Sequence, residues 1–142
     1  MMAKQLSVFI ENRHGRLGEV LDVLKTNGVN ILSLSLADTT EYGLLRLIVS
    51  DPEKGKAKLS SEGFSTMLTD VLVISIQHKS GTLQEILTIL SNENISIEYM
   101  YGLSFESESA SVVLKASDLV KAREVLARNG VKLLSSADIS TL

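Results

Sequence analysis

Two six-residue segments each set polar side chains around a glycine and hold both histidines of the chain: Asn12-Arg13-His14-Gly15-Arg16-Leu17 and His78-Lys79-Ser80-Gly81-Thr82-Leu83. Each gathers cations, an imidazole and an amide or hydroxyl around a glycine. That mixture suits a free amino acid, which needs donors for its carboxylate and acceptors for its ammonium. The carboxamide of Asn12 can donate and accept at once. If a helix begins just after each glycine, its first turn adds unpaired backbone N–H groups and a partial positive charge. Glycine itself lets a ligand approach the backbone with no Cβ in the way. The same residues also have a plainer use. A strand-to-helix turn needs glycine for its geometry whatever it binds, and Arg13, Arg16 and Lys79 suit a solvated surface. His14 and His78, placed in loops, either read a ligand or simply face water.

Catalytic sets are harder to find. No paired carboxylates, Ser/His/Asp set or nucleophilic cysteine recurs at a useful spacing. The chain contains no cysteine at all, which excludes disulfides and thiolate metal sites and makes a reducing cytoplasm the expected location. No metal or cofactor is implied.

The elements that must position these segments occur twice. Gly15 and Gly81 are 66 positions apart, as are Ile31 and Ile97. In the first half Leu6, Val8 and Ile10 alternate with polar positions and predict a strand. Leu17, Val20, Leu21 and Leu24 recur at helical spacing and stop at Asn27-Gly28. Ile31 to Ala37 predicts a second strand, Asp38 to Gly43 a turn, and Leu44 to Val49 a third strand. Ser50-Asp51-Pro52 starts a helix with a capping residue followed by proline. That helix runs to Glu62-Gly63, and Phe64 to Leu68 is a short last strand. The second half predicts a strand over 71–77, helix over 82–92, strands over 95–105 and 110–116, helix over 118–129 and strand over 131–135. Residues 136–142 give no signal. Each half is β-α-β-β-α-β, the ferredoxin-like split unit, so the fold class is α+β with helices on one face of an antiparallel sheet. The expected domains are residues 1–69 and 70–142, with Thr69-Asp70 the boundary and no room for a flexible linker.

Composition narrows the function. The chain has 142 residues and a net charge of −3, and no region forms a basic block, which weighs against tracking phosphates. Aromatic residues are only 4%, and the third strands, Leu44–Val49 and Ala110–Leu114, carry none, so an RNA-recognition module is disfavoured. No apolar run approaches the ~20 residues of a membrane span. The first residues lack the apolar core of a signal peptide. A soluble cytoplasmic protein is expected. The hydrophobic fraction of 44% is high for halves of this size, which suggests surface reserved for domain or subunit contact. Leu32, Leu34 and Leu36 fall opposite Ile31, Ser33 and Ser35, and Leu44 and Ile48 fall opposite Leu45, Leu47 and Val49. Both sheet faces therefore look apolar, and the face away from the helices is expected to be buried, through self-association or the other half. Tyr99 and Tyr101 share a face with Ile97 and Leu103 and are expected to pack on the helices.

Asn12-Arg13-His14-Gly15-Arg16-Leu17, followed by Gly28-Val29-Asn30-Ile31, resembles the ACT domain, a small regulatory module that binds amino acids. His14 stands where that family often has proline. The second half keeps Gly81, Leu83, Ile95 and Ile97, but has His78 in place of Asn12 and ends its helix with Asn94. The resemblance covers residues 5 to 135. It implies a ligand held between two ACT domains, with the turn after the first strand on one side and the start of a second strand on the other. The turn residues above form the first wall, and Asn30-Ile31-Leu32 and Ser96-Ile97-Glu98 the second. Because Asn12 and His78 differ, the two sites are not expected to be equivalent, and the Asn12 copy is the better bet for occupancy.

The expectation is thus a non-catalytic sensor of a free amino acid, acting as a homodimer or through a regulated protein partner, with no nucleic-acid or membrane role. Two rivals stay open. An acylphosphatase-like enzyme shares the element order and would use Arg13 or Arg16 in a phosphate cradle, although no Asn in the third strand is placed to orient a water. A purely structural interaction module without ligand is the other.

Overall fold

The computed structural model describes residues 2–11, 14–38, 42–77, 79–103 and 109–141. The elements are β1 (Ala3–Glu11), α1 (Arg16–Thr26), β2 (Ile31–Asp38), β3 (Tyr42–Val49), α2 (Pro52–Ser61), β4 (Ser65–Gln77), α3 (Thr82–Asn92), β5 (Ile97–Leu103), β6 (Ser109–Ala116), α4 (Leu119–Arg128), β7 (Lys132–Leu134) and α5 (Ser136–Ser140). They divide into two compact units, Lys4–Thr69 with Ser140–Leu142, and Asp70–Ile139 with Met1–Ala3.

In the first unit β3 pairs antiparallel with both β1 and β2. In the second the strand order is β7-β4-β6-β5, again antiparallel throughout. Each unit has its own core on the helix side of its sheet. Leu6, Val8 and Ile10 meet Leu45, Leu47, Val49, Val20, Leu24, Leu59 and Phe64 in one. Leu72, Ile74, Leu114 and Ala116 meet Ile86, Leu90, Ala122, Val125 and Leu126 in the other. The fold is the α+β arrangement of two ferredoxin-like units read from the alternation and helical spacing.

One device ends each of α1 to α4. The residue after the cap adopts a left-handed conformation, and the next, apolar residue donates back to a buried residue five positions earlier. Val29 N–H reaches Leu24 O at 2.9 Å, and Phe64 reaches Leu59, Ile95 reaches Leu90 and Val131 reaches Leu126, each at 3.0 Å. Three of the left-handed positions are Gly28, Gly63 and Gly130, while the fourth is Asn94 at φ 58°. Asn is tolerated there because its short polar side chain can bond locally. The apolar residue that follows drops into the core, so each helix stop also sets where the next strand begins.

Four expectations change. Residues 64–68 and 71–77 read as two strands, yet β4 runs unbroken from Ser65 to Gln77, since no glycine or proline interrupts Leu68-Thr69-Asp70-Val71. The silent end carries α5, whose start is fixed by Ser135 and Asp138. Ser135 donates its N–H and hydroxyl to the Asp138 carboxylate at 2.8 and 3.0 Å. These bonds hold the Asp138 carboxyl below its usual range.

The other two changes share a cause. A bulge between Ile31 and Ser33 puts Ile31 opposite core residue Val49, Leu34 opposite Leu47 and Leu36 opposite Leu45. Ile31 therefore faces the helices together with Leu34 and Leu36, not against them, and Ser33 and Ser35 take the other face beside Ile48 and Arg46. A matching bulge between Ile97 and Tyr99 sends Ile97 and Met100 into the helix-side core. Tyr99 and Tyr101, opposite Lys115 and Val113, lie on the face away from the helices. Buried polar residues also lie on that side of β1, where Gln5 Nε2 donates to Ser7 Oγ at 3.1 Å. Ile48, Val71, Val73 and Val113 are buried as well.

Asn94→Gly is expected to raise stability by a few tenths of a kcal/mol, and Gly28→Ala to lower it by about 1 kcal/mol, because only glycine takes the left-handed position without cost. Urea unfolding midpoints read both.

Candidate functional site

Both glycine turns are built alike. Gly15 has φ 86° and ψ −7°, and Gly81 has φ 86° and ψ −8°. These values lie in the left-handed region, so glycine is required by the backbone. Each glycine carbonyl accepts the first helical N–H, from Glu19 at 3.1 Å and from Glu85 at 3.0 Å. Neither α1 nor α3 has a side chain capping its start. The contrast is with α2 and α4, where Asp51 and Asp118 accept from Lys54 and Lys121 N–H at 3.1 and 3.0 Å. The two turns thus lead into helices whose first-turn donors are not served by a cap. A Cβ on Gly15 or Gly81 would meet nothing within 4 Å, so crowding is not what requires glycine there.

The starts of β2 and β5 are also matched. Asn30 N–H donates to Ser50 Oγ at 2.9 Å, and Ser50 N–H returns a bond to Asn30 O at 2.9 Å. Ser96 and Ser117 repeat the exchange at 3.0 and 2.9 Å. Ser50 is therefore the fastener and Asp51 the cap, a division of labour that the Ser-Asp pair did not reveal by itself. The bulged residues Leu32 and Glu98 follow directly, on edge strands. Bulges free backbone groups from the ladder and re-aim side chains. Asn30, Ser96 and Glu98 are exposed, while Ile31, Leu32 and Ile97 are partly buried.

The turns differ in what fills the space next to them. In the first unit the Arg16 guanidinium lies 4.2 Å over the Phe64 ring, and its Nη1 pairs with Glu19 at 2.5 Å. The Arg16 side chain is only 15% exposed, and its Nε is buried with no hydrogen bond. Arg16 is thus committed to packing and is a poor candidate for a phosphate cradle. Leu17 packs on the core, and His14 is exposed. In the second unit Lys79 N–H donates to Gln77 O at 2.7 Å and Lys79 O accepts from Thr82 N–H at 3.2 Å, closing a tight turn. Leu83 packs on its core, Ser80 and Gly81 are exposed, and Lys79 and Thr82 line a cleft of about 470 Å³.

That cleft also takes in Glu85, Asn129, Gly130, Val131 and Lys132, none of which sequence reasoning singled out. A signal was available: aligning the halves puts Thr82 at the place of Arg16 and Val131 at the place of Phe64, two bulky residues replaced by small ones. A separate hollow of about 420 Å³ at the end of α1 holds Asn30 and Ile31 with Leu21, Lys25, Gly28 and Val29. Neither space combines a turn with a second-strand start. Asn12, Arg13 and His78 lie outside the described residues. Among the described residues no three His, Asp or Glu side chains gather to hold a metal ion, and no helix is long and apolar enough to cross a membrane.

A family model described as the ACT domain pair matches residues 1–142. No curated protein matches the chain. Among solved structures, protein BT0572 from Bacteroides thetaiotaomicron is 42% identical, with a TM-score of 0.94 over 100% of this chain and 98% of that one. The ligand-free regulatory subunit of aspartate kinase from Thermus thermophilus is 13% identical, with a TM-score of 0.63 over 89% of this chain and 91% of that one. Its counterpart from Thermus flavus is 14% identical, with a TM-score of 0.59 over 90% and 93%. At such identities the last two speak to the fold alone.

The packing of Arg16 has a measurable consequence. Arg16→Ala should destabilise the protein by about 1 kcal/mol, through lost contact with Phe64 as well as lost charge. Glu19→Ala, which removes only an exposed ion-pair partner, should stay within about 0.5 kcal/mol. Chemical denaturation of the two variants separates a packed guanidinium from a surface ion pair.

Proposed function

The chain belongs to the ACT domain pair family, and we propose that it is a non-catalytic regulatory protein that senses a free amino acid at its glycine turns. The observation that carries this reading is the pair of left-handed turns at Gly15 and Gly81, each opening into a helix without a side-chain cap. Such a helix start is a ready acceptor for a carboxylate. Exposed backbone at the bulged edges, near Leu32 and Glu98, suits an ammonium. A second support is the fold shared with regulatory subunits of aspartate kinase.

The amino acid acts by favouring one arrangement of the protein over another, and it shifts that balance only by its difference in affinity for the two. The readout is self-association or a regulated partner. Self-association is supported by Leu34 and Leu36, each 48% exposed on the edge strand β2. Against the acylphosphatase-like alternative stands Arg16, which is stacked and paired.

A thermal-shift screen against the proteinogenic amino acids tests the reading. Ligand at about 100 times its dissociation constant stabilises by roughly 2.7 kcal/mol, worth several degrees at about 2–4 °C per kcal/mol. Gly15→Val with Gly81→Val should remove the shift, and far-UV circular dichroism checks that the double variant is folded, since valine is strained at φ 86°. A flat melting temperature with every amino acid, or full binding in the double variant, contradicts the proposal. Light scattering in the same titration should show a change in mass if self-association is the readout.

A further inference from the structure

We propose that the cleft beside Gly81 is the open amino-acid site of this chain, that it takes an acidic amino acid, and that Arg16 stacked on Phe64 closes the equivalent place beside Gly15. The proposal rests on the sensor reading above and adds to it the copy that binds and the class of ligand.

The two places share their glycine conformation and their helix-end hydrogen bonds. Phe64 N–H and Val131 N–H close the same helix-end ring, each at 3.0 Å to Leu59 O and Leu126 O. Glu19 and Glu85 donate to the two glycine carbonyls. The side chains at these positions differ. In the first unit a guanidinium sits 4.2 Å over an aromatic ring and satisfies Glu19. In the second a threonine and a valine stand at those positions, and about 470 Å³ is open. That lies within the range of about 300–1,000 Å³ common for small-molecule sites.

Removing the arginine also leaves Glu85 without its partner. Lys79, Glu85 and Lys132 line the cleft, and Lys132 also acts electrostatically on Asp138. Asn129 donates its Nδ2 to Val125 O at 2.8 Å, which leaves its Oδ1 uncommitted. Ile76, Ile86, Ile89 and Val131 give the apolar part of the wall. Two cations and one carboxylate match a ligand with two carboxylates and one ammonium, charge for charge. That is an acidic amino acid. A monocarboxylic amino acid would leave one lysine unmatched, and a dicarboxylate without an amine would leave Glu85 unmatched.

The test is a 1H–15N titration of the full chain with L-glutamate and L-aspartate, with L-glutamine and glutarate as controls that each lack one charged group. At least one acidic amino acid should move the amides of Lys79, Thr82, Glu85, Gly130 and Lys132, and both controls should bind at least tenfold more weakly. Lys79→Ala and Lys132→Ala, both at exposed positions and safe for folding, should each weaken binding about tenfold. Thr82→Arg with Val131→Phe should rebuild the closed arrangement and abolish binding. If an acidic amino acid moves amides elsewhere, or binds the lysine variants as tightly as the parent, the cleft is not the site, although the sensor reading stands. If L-glutamine binds as well as L-glutamate, the ligand class is wrong. If no proteinogenic amino acid moves any amide, the sensor reading falls with it.

Discussion

The connections from β1 to α1 and from β4 to α3 each end in a left-handed glycine, Gly15 and Gly81, from which the helix starts. The constraint is backbone conformation, not crowding: a Cβ at Gly15 or Gly81 would have room and still be strained at φ 86°. Much else follows from it. The glycine carbonyl takes the first helical N–H, the helix starts with no side-chain cap, and the apolar stripe beginning at Leu17 or Leu83 is delivered onto its core. At the far end of each helix a second left-handed residue and a returning apolar residue set the start of the next strand. The turns that make the fold also leave donors unserved, so the folding requirement and the binding opportunity share one residue.

The copies part where packing is free to vary. Arg16 gives its unit a stacked contact and an ion pair, at the cost of a buried Nε with no partner. Its stem and guanidinium act largely as filler over Phe64, as long cationic side chains do on apolar surface. The second unit gives up that contact at Thr82 and Val131 and keeps Lys79, Glu85 and Lys132 around open space.

Much of this was legible in the residues. The repeat of Gly15 at Gly81 and the alternating and helical spacings gave the element order and the α+β class. The family resemblance rested on Asn12 through Leu17 and its downstream partner. The limits were physical. A bulge shifts side chains by one position without any marker in the residue types, so Ile31, Tyr99 and Tyr101 fall on unexpected faces. Continuous β4 was hidden because Thr69 and Asp70 resemble a turn but can equally stay extended. The cleft was hidden because it joins residues about fifty positions apart, Thr82 and Val131, neither of them charged. The informative difference was in bulk. The sequence favoured the Asn12 copy for occupancy, and Asn12 lies outside the described residues.

If Arg16 over Phe64 closes one of the two turns, the chain holds one amino acid and not two. Equilibrium dialysis with a radiolabelled acidic amino acid counts the sites directly. The account predicts saturation at one molecule per chain. Saturation at two equal molecules per chain, or no retained label at millimolar ligand, would contradict it.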